Sequence, residues 1–561
     1  MIVSIGLISL SLFNVSLADN QSELNRKVDK LFNEEIEPDG PGCAVAIYQN
    51  NKMLYSQGYG LADIENNVAI TPKSAFNIGS TSKQFTAASI IKLEQQGRLS
   101  LKDDIRKYLP EIPQYERKIT IRHLLNHTSG LRDYIDLMLL SGFDIDDVTT
   151  DFDALDLIKR QNSLNFEPGS EYLYSNTGYF LASLIVERVS GKTLKQFAHD
   201  NIFQPLSMTS SSYVNSHKTI VKNRATGYRK DKDGNYSLDV SYWEQNGDGG
   251  VFTTVEDLLH WNSVFFSDSL ENTKLKNSLY QRGQLNDGRE NKYALGLIHA
   301  QHKGTERVYH SGSWAGYRSN LARIPAHNLA VSVLCNTAHV HPVHMTEMTF
   351  QIYLSKPLKE SNIQKVENRT ERIRYNPVKI PETIYQELAG KYEFIEYPNE
   401  FIELSYSDGV FTLVDYDEKV SLKAASETLF INEEGDPRIE FEYDEAEALD
   451  KVTMYGSKSG ESYPLKKWTP YIAEKTELES IVGLYRSDEL NLDLQIEYLD
   501  GGLLATDRHG RAFSLMFLDK NRMLADNEEF SLLDVQRGSN DIFKGFSVST
   551  KGSLNITFLK K

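Results

Sequence analysis

Cysteine is nearly absent: Cys43 and Cys335 are the only two in 561 residues, too few for a disulfide scaffold in a chain of this size. Both sit in strand-like apolar runs, GCAVAIY and LAVSVLCN. Two buried free thiols are expected, because unpaired cysteine is among the most buried residue types; a cross-strand disulfide is the alternative. Positive charge is also short. Lys and Arg number 61 against 78 Asp and Glu, a net charge of -17, which argues against a nucleic-acid partner and against adhesion to an anionic membrane. Beyond the N-terminus no run is long and apolar enough to span a bilayer, so no transmembrane segment is expected. A hydrophobic content of 40% with 25% charged residues fits a soluble globular protein. The length exceeds what one core can organise, so roughly two to four domains are expected.

Residues 1–18 (MIVSIGLISLSLFNVSLA) carry no charge and end in Ser16-Leu17-Ala18 before Asp19. That is the pattern of a secretory signal peptide without the usual basic start, and it predicts export to the periplasm or the exterior. Gln21 to Glu37 reads as an amphipathic helix. Two strands, Cys43 to Gln49 and Met53 to Gln57, are joined by the hairpin signal Asn50-Asn51-Lys52. A helix stopped by Gly97, a helix over Ile119 to Leu125 and further helices between Asp151 and Phe203 follow. Gly247 to Gly250 is expected to be a flexible loop, and Thr253-Thr254-Val255-Glu256-Asp257 a capping-box start to the next helix, through Trp261. Strands return at Arg307 to His310, Ser319 to Ile324 and Leu329 to Cys335. Strands at both ends with helices between suggest one sheet closed by sequence-distant segments. After a charged linker at 356–378 the texture becomes short alternating strands with Asp/Gly turns, the pattern of antiparallel β structure. Leu388-Ala389-Gly390-Lys391-Tyr392 recurs as Ile481-Val482-Gly483-Leu484-Tyr485, an offset long enough for a barrel of about eight short strands, twice over.

The chemistry is concentrated at Gly79-Ser80-Thr81-Ser82-Lys83. Residues three apart on a helix share a face, so the Ser80 hydroxyl and the Lys83 amine can touch, and a neighbouring base is what makes a serine nucleophilic. A helix start adds free N–H groups suited to an oxyanion. Ser89-x-x-Lys92 has the same spacing but lies inside an apolar helix, where Ser89 reads as packing. Tyr-x-Asn occurs at Tyr48, Tyr174, Tyr213 and Tyr397. Of these, Tyr174-Ser175-Asn176 alone follows a Pro-Gly turn and precedes a helix, which lets a phenol relay a proton while Asn176 holds a substrate amide. His310-Ser311-Gly312 closes a strand, and Ser313 behind it offers a second oxyanion N–H, with His310 and Ser311 towards the substrate. His302-Lys303-Gly304 and Lys458-Ser459-Gly460 are decoys in turns. His339, His341 and His344 resemble a metallohydrolase pattern, but Val343 stands where an Asp is needed. His123 and His127 are spaced for one helix face without further ligands, so neither a metal nor another cofactor is expected.

Ser80-x-x-Lys83, Tyr174-x-Asn176 and His310-x-Gly312, in that order, resemble the serine β-lactamase and penicillin-binding-protein superfamily, and within it the class C β-lactamase-related hydrolases. His123 to Leu131 (HLLNHTSGL) and Asp248 to Thr254 (DGGVFTT) are similar to that group as well. The resemblance covers about residues 30 to 355. It implies an α+β fold: a β-lactamase-like catalytic domain, with an antiparallel sheet flanked by helices and a helical subdomain, over 19–355. Two antiparallel, lipocalin-like β-barrels are expected after the linker, at 379–470 and 471–561, in a D-aminopeptidase-like layout. A barrel loop is expected to reach the active site and restrict what enters.

Further, the resemblance implies a Ser80 acyl-enzyme, with Lys83 or Tyr174 taking the serine proton. Penicillin-binding proteins and most β-lactamases carry Lys where His310 stands. A neutral histidine holds a substrate carboxylate less strongly, which moves the expected substrate from β-lactams towards small amides, short D-amino-acid peptides and esters. A true β-lactamase is one alternative, and a non-catalytic envelope protein binding peptidoglycan or a partner is another.

Overall fold

The strand CAVAIYQ is apolar at every position but the last, and the structure buries it on both faces. This computed structural model describes residues 21–354, 377–395, 401–415, 418–432, 437–444, 446, 448–456, 462–468, 471–527, 529–539 and 542–561. The expected signal peptide, the expected linker except its last two residues, and the Lys458 decoy lie outside them.

A first helix, α1, covers 21–35. Strand β1 (Cys43–Gln49) turns through Asn50 and Asn51 into β2 (Lys52–Tyr59). Both asparagines are left-handed, φ 49° and 61°, the conformation that a two-residue hairpin matched to strand twist requires. Four more strands come from the far end of the domain: β3 (Ile298–His302), β4 (Thr305–Trp314), β5 (Tyr317–Ile324) and β6 (Leu329–Cys335). The sheet runs β3-β4-β5-β6-β1-β2, antiparallel throughout, so sequence-distant strands close on one another as expected. Side chains alternate across it. Cys43, Val45 and Ile47 pack against Val28 and Phe32 of α1 and against Met345 and Phe350. The alternate set, Ala44, Ala46 and Tyr48, faces the main core.

Register decides the cysteines. Cys43 lies directly opposite Cys335, and the two are joined as a disulfide with Cα atoms 4.0 Å apart. The expectation of two free thiols is therefore corrected: strand pairing, which neither apolar run reveals alone, makes them partners.

Helix α2 (Lys83–Gln95) emerges from a tight 3-10 turn over Gly79–Ser82 and stops at Gly97, whose φ of +69° suits a residue without Cβ. Ser89 is buried and donates to Phe85 O at 2.8 Å, while Lys92 pairs with Glu271; the second Ser-x-x-Lys is packing. Helix α3 (Tyr134–Leu140) is N-capped by Asp133, and α4 (Asn176–Ser190) starts at the Tyr174-Ser175-Asn176 turn. Helix α5 (Val255–Phe266) is capped by Thr254. Asp257 does not reciprocate the cap; its carboxylate accepts instead from Ser210 N (2.8 Å) and Ser211 Oγ (2.7 Å). The Gly247–Gly250 stretch is bonded rather than loose: Thr86 Oγ1 donates to Gly247 O at 2.6 Å and Val214 N to Gly250 O at 2.8 Å.

The tail forms two closed up-and-down barrels of eight strands each, one from Gly390–Phe394 to Ser462–Lys467 and one from Gly483–Ser487 to Ile556–Lys560. The repeated five residues have one job in both. Gly390 and Gly483 take φ of +141° and +155° where a short helix turns into the first strand. Tyr392 and Tyr485 are then fully buried, and their hydroxyls donate to the main-chain oxygens of Leu388 and Ile481, satisfying a helix-terminal carbonyl.

Candidate active site

Ser80 is the half-buried residue of its turn; Gly79, Thr81, Ser82 and Lys83 around it are buried. The turn holds Ser80 at the mouth of a cleft of about 220 Å³, walled by Tyr134, Arg224, Trp243, Phe252 and Trp314. Lys83 Nζ lies 3.0 Å from Ser80 Oγ, 2.8 Å from Asn176 Oδ1 and 2.7 Å from Asp248 O. Three acceptors use the three hydrogens of an ammonium. Burial nevertheless pushes the amine down to about 8, against the pull of Asp248 and Asp133. The group thus stands close to losing its proton near neutral pH.

Tyr174 faces Ser80 across the cleft, and burial holds the phenol well above its ordinary value, against a smaller opposing pull from Ser80. Its ring lies 4.9 Å from Lys83 Nζ and 4.2 Å from the His127 ring. Asn176 was expected to face the substrate, yet most of its amide is committed to the protein: Oδ1 accepts from Lys83, and Nδ2 donates to Asp133 Oδ2 at 3.0 Å.

His310, Ser311 and Gly312 lie within β4, not at a strand end. The ladder between β3 and β4 stops at Ile298 opposite Tyr309, leaving the edge from His310 onward uncovered by β3. The turn Ala315-Gly316 makes Trp314 and Tyr317 the closing pair of the β4–β5 hairpin. Alternation then turns the Ser313 N–H away from β5, on the side where the Gly79–Ser82 turn approaches. A Cβ on Gly79 would stand 2.8 Å from Ser313 N, and one on Gly312 only 2.0 Å from Ile78 O. Both glycines are what let strand and turn approach this closely.

His310 is 2% exposed, buried more deeply than a substrate-contacting side chain requires. Its Nδ1 lies 2.6 Å from Ser311 O and its Nε2 2.8 Å from Tyr293 Oη. The carbonyl can only accept, so Nδ1 carries the hydrogen and Nε2 receives the phenol: a neutral imidazole. Burial, helped by Lys83, pushes it down to about 3. Ser313 lines the main cleft, while Ser311, Gly312 and His310 line a second depression beside it, with His341 and Pro342.

Sequence reasoning missed the carboxylates. Asp133 accepts from Asn176 N (2.5 Å) and Nδ2 and caps α3 through Ile135 N (2.9 Å). Asp136 sits beside it, and burial raises both carboxyls. Asp248 offers its carbonyl to Lys83 and its carboxylate to Tyr134 Oη at 3.1 Å. The one signal for Asp133 was its place just after the HLLNHTSGL run. The histidines do not assemble into a metal site. His123 Nδ1 accepts from Thr120 N; His127, left-handed at φ 56°, leaves its helix face; His339 Nε2 accepts from Lys230 N. Among the described residues no group of three His, Cys, Asp or Glu converges.

Residues 28–350 match the beta-lactamase family model. Penicillin-binding protein 4* of Bacillus subtilis is 31% identical over 307 residues, 52% of this chain and 67% of that protein. A D-aminopeptidase of Brucella anthropi is 29% identical over 280 residues, 50% of this chain and 53% of that protein. The chain thus spans about half to two thirds of the curated relatives' length. The penicillin-binding protein homologue of Pyrococcus abyssi, 23% identical, superposes with a TM-score of 0.54 over 79% of this chain and 99% of its own, a likeness of fold. The family match covers more than half of the chain and contains every residue around the cleft, so the chain belongs to the beta-lactamase family and is a serine hydrolase with penicillin-binding-protein and D-aminopeptidase relatives.

Proposed function

We propose that the chain is an exported hydrolase that acts through a Ser80 acyl-enzyme on small amides and esters, short D-amino-acid peptides among them. The observation that carries this reading is the buried Lys83 amine, 3.0 Å from the accessible Ser80 hydroxyl and held near 8. Between the two bases left open by the sequence, the electrostatics favour Lys83, because the Tyr174 phenol is held protonated. Neutral Lys83 takes the Ser80 proton as Oγ bonds to the substrate carbonyl carbon. The resulting oxyanion is met by the N–H groups of Ser80 and Ser313. The proton passes through the Tyr174 hydroxyl to the leaving amine or alcohol, and the C–N or C–O bond breaks. Water then attacks the acyl ester, releasing the acid and restoring Ser80.

Export is supported by the charge-free N-terminal run and by the Cys43–Cys335 bond, since cytosolic thiols are kept reduced. Among the described residues no helix is long and apolar enough to cross a membrane. A second reading, β-lactam acylation, is favoured by the similarity to a penicillin-binding protein. Neutral His310 provides no fixed charge for the β-lactam carboxylate, which weighs against efficient turnover.

Nitrocefin, p-nitrophenyl esters and D-alanine p-nitroanilide are to be tested on wild type and Ser80→Ala. The expected result is ester and anilide turnover exceeding nitrocefin turnover, all lost in Ser80→Ala, with a fluorophosphonate adduct on the wild type alone. Undiminished turnover in Ser80→Ala would sink the proposal. Because Lys83 must be neutral to act, kcat/KM is expected to rise about tenfold per pH unit on the acid side and level off near 8. A flat profile from pH 6 to 9 would remove Lys83 as the base.

A further inference from the structure

The last loop of the second barrel is wrapped around Asp133. The Asp133 N–H donates to Gly552 O at 2.9 Å, and its C=O accepts from Ser553 Oγ at 3.2 Å. Gly552 N (2.8 Å) and Thr550 Oγ1 (2.5 Å) donate to Asp136 Oδ2, and Asn165 Nδ2 donates to Gly552 O at 2.8 Å. The fit leaves no spare room: a Cβ on Gly552 would stand 2.6 Å from Asp133 Cβ and 2.9 Å from Asp136 Oδ2. Asp133 in turn receives both the N–H and the Nδ2 of Asn176, whose Oδ1 receives Lys83.

We propose that Asp133 is a positioning residue for the Ser80–Lys83 pair, and that the second barrel sets it by seating Gly552 against it. The inference rests on the hydrolase reading and deepens it. A side-chain amide has two orientations of nearly equal shape, and only one presents oxygen to Lys83. By accepting from Nδ2, Asp133 selects that orientation. With the amide reversed, two N–H groups would face the lysine amine, and Lys83 would lose one of the three acceptors that hold it at Ser80. The barrel therefore enters the chemistry through Asp133, Asn176 and Lys83, without itself touching the reacting atoms.

Asp133→Asn is the discriminating substitution, because asparagine caps a helix as well as aspartate does while losing the second acceptor oxygen. Gly552→Ala perturbs the same contact from the barrel side. The full-length chain, each single variant and the double variant are to be compared by the rate of fluorophosphonate labelling of Ser80, by kcat and KM on a p-nitrophenyl ester, and by thermal unfolding. The expected result is a fall in labelling rate and kcat of about 10- to 100-fold in Asp133→Asn and of about tenfold in Gly552→Ala, with KM nearly unchanged. The double variant is expected to be no worse than Asp133→Asn alone, since both act along one path. Should Asp133→Asn fail to fold, Gly552→Ala and Thr550→Val carry the test through the same split of kcat against KM. Wild-type labelling rates in the variants, or losses that add in the double variant, overturn the inference. A wild type that is never labelled at Ser80 fails the hydrolase reading first and takes the inference with it.

Discussion

The two barrels are built alike and used differently. Each opens with the same helix, positive-φ glycine and buried tyrosine, and each closes with eight strands. The first encloses a core of its own, from Ile380 and Leu388 to Leu465. The apolar residues of the second, from Ile481 to Phe558, are continuous with the core of the catalytic domain. Polar contacts follow the same division. Arg132, beside the active site, spends its guanidinium on the second barrel and its surroundings: Nε donates to Leu554 O (2.9 Å), Nη1 to Glu489 Oε1 (2.7 Å) and Gln161 Oε1 (2.8 Å), and Nη2 to Asn555 O (3.2 Å) and Ser163 Oγ (2.9 Å). Arg511 of the barrel donates back to Leu139 O and Leu140 O, at 2.8 and 2.9 Å. The first barrel meets the second instead, through Arg522 with Glu393 and through Trp468 Nε1 with Leu518 O at 2.7 Å. One fold thus serves once as a part of the catalytic unit and once as an appended module. The difference lies in which loops carry arginine, glycine and short polar side chains, not in the barrel plan.

The comparison can be broken at its strongest contact first. Arg132→Ala takes the charged partner from Glu489 and a donor from two carbonyls in a nearly closed interface, the Arg132 side chain being 1% exposed. The expected cost is about 3 to 5 kcal/mol, visible in calorimetry as early melting, together with a loss of esterase activity. Retained activity would detach the second barrel from function. Removing the disulfide with Cys43→Ala and Cys335→Ala supplies a reference within the sheet, remote from both barrels. It is expected to cost about 2 to 5 kcal/mol while leaving kcat per folded molecule unchanged. The smallest effect belongs to the first barrel: Glu393→Ala, at its partly solvated pair with Arg522 of the second, is expected to cost about 1 kcal/mol and to leave kcat/KM at the wild-type value. A drop in kcat/KM there would mean that the first barrel also reaches the chemistry.

Local patterns carried much of this. Asn50-Asn51 announced the hairpin, Gly97 the end of α2, and the Gly-x-Tyr repeat the two barrels, because each is a short-range demand of backbone conformation or strand alternation. Ser80, Lys83, Tyr174, Asn176 and His310 could be named from spacing, and the structure gathers the first four at the cleft and sets His310 at the depression beside it. What spacing could not show is direction. Asn176 turns to Lys83 and Asp133, and His310 is folded against Tyr293 and its neighbouring carbonyl, because pairs far apart in sequence meet only after the sheet and α4 have packed.

By itself the sequence named the groups proposed to react, a hydroxyl and an amine three residues apart, and the family resemblance marked a histidine where relatives carry lysine. Tertiary structure alone decided that Cys43 meets Cys335, that burial brings Lys83 to about 8, and that Gly552 of the second barrel seats against Asp133. Register, desolvation and domain contact are properties of neighbours, and those neighbours lie 292 residues from Cys43 and 419 from Asp133 along the chain.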